Sequence, residues 1–83
     1  MQTYLEKRQP AKNVARFYRM SVMPNLFGEW TLYREWGRIG QGGQVRMDWF
    51  EDENQAVAAL VTLEASKRQR GYWVAPQQPA MFR

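Results

Sequence analysis

Three stretches of this chain change side with every residue, and that period of two restricts what it can build more than any other feature. From Val14 onward, Tyr18, Met20 and Val22 alternate with Phe17, Arg19 and Ser21 until Pro24 and Asn25 end the run. From about Glu29 to Trp36 the two series are Trp30, Leu32, Arg34, Trp36 and Thr31, Tyr33, Glu35. From Gln44 to Phe50 they are Val45, Met47, Trp49 and Gln44, Arg46, Asp48. Successive side chains of a strand point to opposite faces, so these stretches predict a sheet with one apolar side. Leu26, Phe27 and Gly28 join the first two strands, and Gly37 to Gly43, with four glycines in seven residues, joins the second to the third. Short connections make an antiparallel meander, and the glycines suit turn angles with φ > 0.

The apolar side collects Tyr18, Met20, Val22, Trp30, Leu32, Val45, Met47 and Trp49, and it has to be covered. The segment from Glu53 to Arg70 supplies the cover. Asp52 is placed to cap its first free N–H groups, Gln55 stands at the capping-box position, and Glu53 favours the positive end of the helix macrodipole. Ala56, Val57, Leu60 and Leu63 recur at helical spacing on one side, with Lys67 extending their line. Gly71 sits where a left-handed residue ends a helix. Tyr72 to Val74 reads as a short fourth strand. Met1 to Lys12 reads as an arm or short leading strand, because Pro10 holds Gln9 out of helix. The expected fold is α+β: an antiparallel meander of three to four strands with one long helix on one face, spanning residues 13–75, and a tail over 76–83.

A chain of 83 residues closes one modest core, and large rings help, each bringing roughly 150–250 Å² of buriable surface. The absence of Cys and His excludes disulfides, thiolate nucleophiles, the usual zinc sites and imidazole acid–base chemistry. Asp48, Glu51, Asp52 and Glu53 are the one concentration of carboxylates, and three of them fall at the helix start, where they stabilise without catalysing anything. No metal, cofactor or catalytic residue is expected, and the chain reads as nonenzymatic. Met1 to Asn13 is polar, and no apolar run approaches the roughly 18 residues of a membrane helix. A cytoplasmic chain with no membrane partner, a monomer or weak oligomer, is the expectation.

Lys and Arg outnumber Asp and Glu by 12 to 8, and nine of the twelve are Arg. The planar guanidinium fork suits phosphate. Arg19 and Arg46, sharing the face opposite the core with Phe17, Thr31, Tyr33 and Gln44, suit phosphate contact with stacking. The same residues make an ordinary solvated face if Arg19 or Arg46 pairs with Glu35 or Asp48. At Trp36-Gly37-Arg38-Ile39-Gly40-Gln41-Gly42-Gly43 the backbone N–H groups can point together, and Arg38 adds a fork. There is no Gly-Lys-Ser or Gly-Lys-Thr, and no GxGxxG ahead of a helix, so no known nucleotide loop is present. A tight turn anchored by a buried Trp36 accounts for the same residues. Lys67, Arg68 and Arg70 add positive charge at the helix end.

Trp36-Gly37-Arg38 carries a resemblance. Together with Phe17-Tyr18-Arg19, the stretch Leu26-Phe27-Gly28-Glu29-Trp30, the continuation Ile39-Gly40, the helix ending in Lys67-Arg68, and Arg70-Gly71-Tyr72, it resembles the WGR domain family, named for that tripeptide. The likeness runs from about Phe17 to Tyr72 and is nearest to the small bacterial members; the domain also occurs in DNA-dependent poly(ADP-ribose) polymerases. It implies a small antiparallel sheet against one long helix, and DNA binding near strand ends or breaks, with Trp36 packed on a terminal sugar or base and Arg38 on phosphate. It tips Trp36 toward the rim, where alternation alone would bury it. The motif Arg of the polymerases also serves neighbouring domains, which are not expected beside this single domain, and their catalysis does not transfer. The expected site is therefore Trp36, Arg38, Arg19, Tyr33, Arg46, Lys67, Arg68 and Arg70, with DNA as partner and RNA left open. The alternative is a protein-interaction module using Trp73, Met81 and Phe82.

Overall fold

The computed structural model describes residues 1–74. Strands β1 (Gln2–Gln9), β2 (Val14–Pro24), β3 (Trp30–Arg38), β4 (Gln44–Phe50) and β5 (Trp73–Val74) form one sheet in the order β4-β3-β2-β1-β5, with helix α1 (Glu53–Gln69) between β4 and β5 in sequence. All neighbours are antiparallel. The expected class stands, an antiparallel meander under one helix, with five strands instead of three or four. The eight residues of β1 pair along their whole length with β2, so this segment is a full strand. Its inner row is Thr3, Leu5 and Lys7, of which only Leu5 is apolar, and that concealed its period. A short 3-10 turn, Pro10–Lys12, and Asn13 at φ 55° turn the chain from β1 into β2.

Helix α1 starts as its capping residues predict. The Asp52 carboxylate accepts from the backbone N–H of Gln55 at 2.9 Å. At the other end Gly71 takes φ +95°, and the N–H groups of Gly71 and Tyr72 donate to the carbonyls of Arg68 and Lys67, which closes the helix in a Schellman arrangement. Seventeen residues span about 25 Å, and five strands span about 19 Å between the outer two. The helix is long enough to carry the chain from the β4 edge across the sheet to β1, where β5 pairs.

The core lies between the helix and one face of the sheet: Leu5, Tyr18, Met20, Val22, Leu32, Ala56 and Leu60, with Trp30, Trp36, Phe50, Val57, Leu63 and Tyr72 packed around them. One expectation is corrected here. Leu32 stands opposite Asp48, and Tyr33 opposite Met47, so the inward series of β4 is Gln44, Arg46, Asp48 and Phe50. Val45, Met47 and Trp49 point away from the helix and remain exposed. A one-residue change of phase moves a whole apolar series to the other face. Arg46, expected opposite the core, is therefore on the helix side.

Candidate nucleic-acid interface

Glycines make the end of β3 possible. A Cβ on Gly37 would come within 3.0 Å of the Gly43 Cα, and a Cβ on Gly43 would come within 3.0 Å of the Phe17 ring while also striking the Trp36 carbonyl. The two glycines thus let the turn fold back over Phe17, which is buried although it lies on the face without the helix. Within the turn only Gly40 uses positive φ; Gly37 and Gly43 are required by close approach. This folding leaves Trp36 and Arg38 on the helix side, at the end of the sheet nearest the helix C-terminus.

There Arg16, Trp36, Gly37, Arg38 and Tyr72 line a cleft of ≈ 360 Å³. Tyr18 organises it from below. Its ring stacks on Trp36 at 5.7 Å and 16°, meets the edge of Tyr72 at 6.3 Å, and lies 4.6 Å from the Lys67 ammonium. Its hydroxyl accepts from Arg34 Nη1 at 3.3 Å. One face of the partly buried Trp36 is thus held by Tyr18 while the residue still lines the cleft.

The charges follow the register. Lys7 stands opposite Arg16, and Arg16 opposite Arg38, so three cations form a row across three neighbouring strands on the helix side. Like charges directly opposite one another destabilise a sheet. Where Arg34 and Arg46 meet in the same way, Asp48 bridges them at 3.1 and 3.3 Å. Among the described residues no carboxylate does this for the Lys7, Arg16, Arg38 row. Lys67 and Arg70 come from the helix end. Burial lowers the Lys67 pKa from its ordinary 10.5, and the charges of Arg70 and Arg34 lower it further. Among the described residues none of Lys7, Arg16, Arg38, Lys67 and Arg70 has an ion pair, whereas Arg8, Arg19, Arg34, Arg46 and Arg68 each have one. Arg38 has a second attachment: its Nη1 and Nη2 donate to the Asn13 carbonyl at 3.2 Å and the Asn13 Oδ1 at 3.1 Å. Both acceptors are neutral, so its charge remains uncompensated.

The expected site residues therefore divide. Trp36 and Arg38 line the cleft; Lys67 lies behind it against the Tyr18 ring, and Arg70 stands at the same helix end. Arg19 and Tyr33 lie on the other face, where Arg19 pairs with Glu35 at 3.4 Å and sits 5.4 Å from the Tyr4 ring centroid, and the Tyr33 hydroxyl donates to the same Glu35. Arg46 pairs with Asp48 on the edge strand, and Arg68 with Glu64 along the helix. A hollow of ≈ 340 Å³ on the Arg19 side, lined by Gln2, Thr3, Tyr4 and Arg19, contains no cation free of a carboxylate. Nearby, burial would raise the pKa of Glu6, but hydrogen bonds from Tyr4 and Arg8 outweigh it and hold the carboxyl low. Sequence reasoning missed Arg16 and Tyr72 as cleft residues, and Lys7 beside Tyr72. The register of β1 against β2 was the missing signal, since it aligns Lys7 and Arg16 with Arg38. Trp73, named for protein contact, is exposed beside β1, whereas Met81 and Phe82 lie outside the described residues.

Among the described residues no three acidic side chains converge as a metal site would need, and no helix is long and apolar enough to cross a membrane. The chain is 46% identical over 76 residues to an uncharacterized protein, y4dW, of Sinorhizobium fredii; the match covers 92% of this chain but only 37% of that relative. The model of the WGR domain matches residues 1–79. With the tripeptide Trp36-Gly37-Arg38 at the cleft and one helix laid across an antiparallel sheet, the chain belongs to the WGR domain family.

Proposed function

We propose that this chain is a nonenzymatic nucleic-acid-binding module that holds duplex DNA at the Trp36 cleft. The observation that carries the reading is the row Lys7, Arg16 and Arg38, joined by Lys67 and Arg70, all without carboxylate partners among the described residues. A sheet that sets like charges side by side sacrifices local stability, and such departures from local rules concentrate at functional sites. A polyanion relieves the repulsion, and the aromatic wall of Trp36 and Tyr72 offers packing to a sugar or base. Membership in a family whose fold is associated with nucleic-acid binding in known relatives supports the same reading. The finer form of the proposal is engagement at duplex ends, where a terminal sugar or base is open to Trp36.

Binding to a short linear duplex, measured at several salt concentrations, tests the reading. Each phosphate contact contributes a logarithmic slope of about −0.9, so several cleft cations give a steep fall in affinity. Absence of binding at low salt, or a slope near zero, removes the proposal. The Arg16→Ala protein separates ends from general attraction. Arg16 is exposed and its side chain has no hydrogen-bond partner among the described residues, whereas losing Arg38 also frees Asn13. A loss of about tenfold on linear DNA and a much smaller one on closed circular DNA supports end engagement; equal losses leave general duplex binding.

A further inference from the structure

We propose that two copies of this chain associate through β4, edge to edge, about a two-fold axis at Met47. The inference does not depend on nucleic-acid binding. The sheet has two edges, and they are treated differently. At one edge β5, over the residues described, pairs with Leu5 and Glu6 of β1, a strand that carries Lys7, whereas at the other β4 runs for seven residues, Gln44–Phe50, without proline, glycine or lysine. Protein edges are usually blunted by shortness, proline, lysine or a bulge, because unpaired N–H and C=O groups recruit another strand. β4 has none of these; it does carry two inward-pointing charges, Arg46 and Asp48, which also protect an edge, but they are opposite in sign and so can pair with a second copy of the strand. It also exposes Val45 at 49%, Met47 at 50% and Trp49 at 63% on the face without the helix.

The sequence of this edge is complementary to itself. An antiparallel two-fold arrangement preserves both faces of the sheet, so residues placed symmetrically about the axis meet across it. With the axis at Met47, Arg46 of each copy lies opposite Asp48 of the other on the helix side. On the open side Val45 lies opposite Trp49, a β-branched side chain against an aromatic ring, and Met47 meets Met47. Sliding the axis by one residue sets Arg46 against Arg46, or Asp48 against Asp48, and like charges directly opposite are unfavourable. The charges therefore select one register, and the apolar series gains lateral neighbours across the seam that it lacks in a single copy. An unrelated partner strand would not require this symmetry.

Sedimentation of the purified 83-residue chain without nucleic acid tests the proposal. The wild type is expected to form a reversible dimer. Met47→Lys and Met47→Glu each place a charge against its own copy at the axis, so each raises the dimer dissociation constant by about tenfold or more. Met47 is half-exposed, and both variants should keep the wild-type circular dichroism spectrum. An equimolar mixture of the two restores a dimer containing one of each, because lysine then faces glutamate. A wild type that stays monomeric at about 0.5 mM overturns the proposal whatever the variants do. So does a dimer indifferent to both substitutions, or a mixture of folded variants that remains monomeric.

Discussion

Lys67 lies where three demands on one side chain meet. Its stem continues the inward line of the helix, and its ammonium lies 4.6 Å from the Tyr18 ring centroid, a favourable placement for a cation. Burial, with Arg70 and Arg34 adding to it, nevertheless lowers its pKa from 10.5. The sign follows directly. In the window below 10.5 the unfolded chain holds more protons than the folded one, so this group's contribution to stability rises with pH there. An anion in the cleft reverses the bias by stabilising the charged form. The Lys67 pKa should therefore move up on binding, and affinity should fall as pH rises through the free value toward the bound one. Tripolyphosphate, which keeps its charge in alkali, is a suitable probe. Side-chain NMR of Lys67 with and without it should show the upward movement, and an unmoved titration would place Lys67 outside the interface. Arg38 illustrates a different residue-scale compromise, because its bonds to Asn13 tie the motif to the turn between β1 and β2 while leaving its charge uncompensated.

The helix was the most legible element because its signals are local: Asp52 to cap it, Gly71 to end it, and apolar residues at spacings of three and four between them. Leu60 is fully buried in the cluster that includes Leu32 and Met20. Leu60→Ala should cost about 2–5 kcal/mol, visible as a lower thermal midpoint; an unchanged midpoint would contradict the packing of this face. Met47 is not part of that packing, although the alternation pointed to it as a neighbour of Leu60. Periodicity identifies a strand but not which of its faces turns inward when both series contain plausible candidates. In β4 the large residues Val45, Met47 and Trp49 competed with Arg46 and Asp48 for the core, and pairing with Arg34 decided for the charged series. Asp48 is drawn inward by the half-buried Arg34 guanidinium at 3.1 Å, a long-range partner that no local pattern reveals. β1 was obscured for a related reason. Its inner row ends at the cleft, where Lys7 replaces an apolar residue and rests 5.9 Å from the Tyr72 ring centroid. The motif Trp36-Gly37-Arg38 was legible, but the cations that surround it come from strands far apart in sequence.

Over the whole molecule a net charge of +4 conceals an uneven distribution. The arginines of the open face, the β4 edge and the helix flank are matched with acids, while Lys7, Arg16, Arg38, Lys67 and Arg70, which have no ion pair among the described residues, gather at one end. This distribution distinguishes a site from diffuse attraction. Arg16→Ala, Arg19→Ala and Arg46→Ala each remove one positive charge, so a duplex attracted only by net charge would bind all three variants with the same loss. If the cleft holds the duplex, Arg16→Ala alone should lower the magnitude of the salt slope by about one and weaken binding. Arg19→Ala and Arg46→Ala should leave the slope unchanged, since their guanidinium groups are already engaged by Glu35 and Asp48. Surface changes of this kind usually alter stability by no more than about 0.5 kcal/mol, so the three proteins can be compared as folded equals at concentrations well below those at which two copies associate. Equal slopes for all three would mean that phosphate is drawn to the molecule as a whole, and that the cation row across β1, β2 and β3 has another purpose.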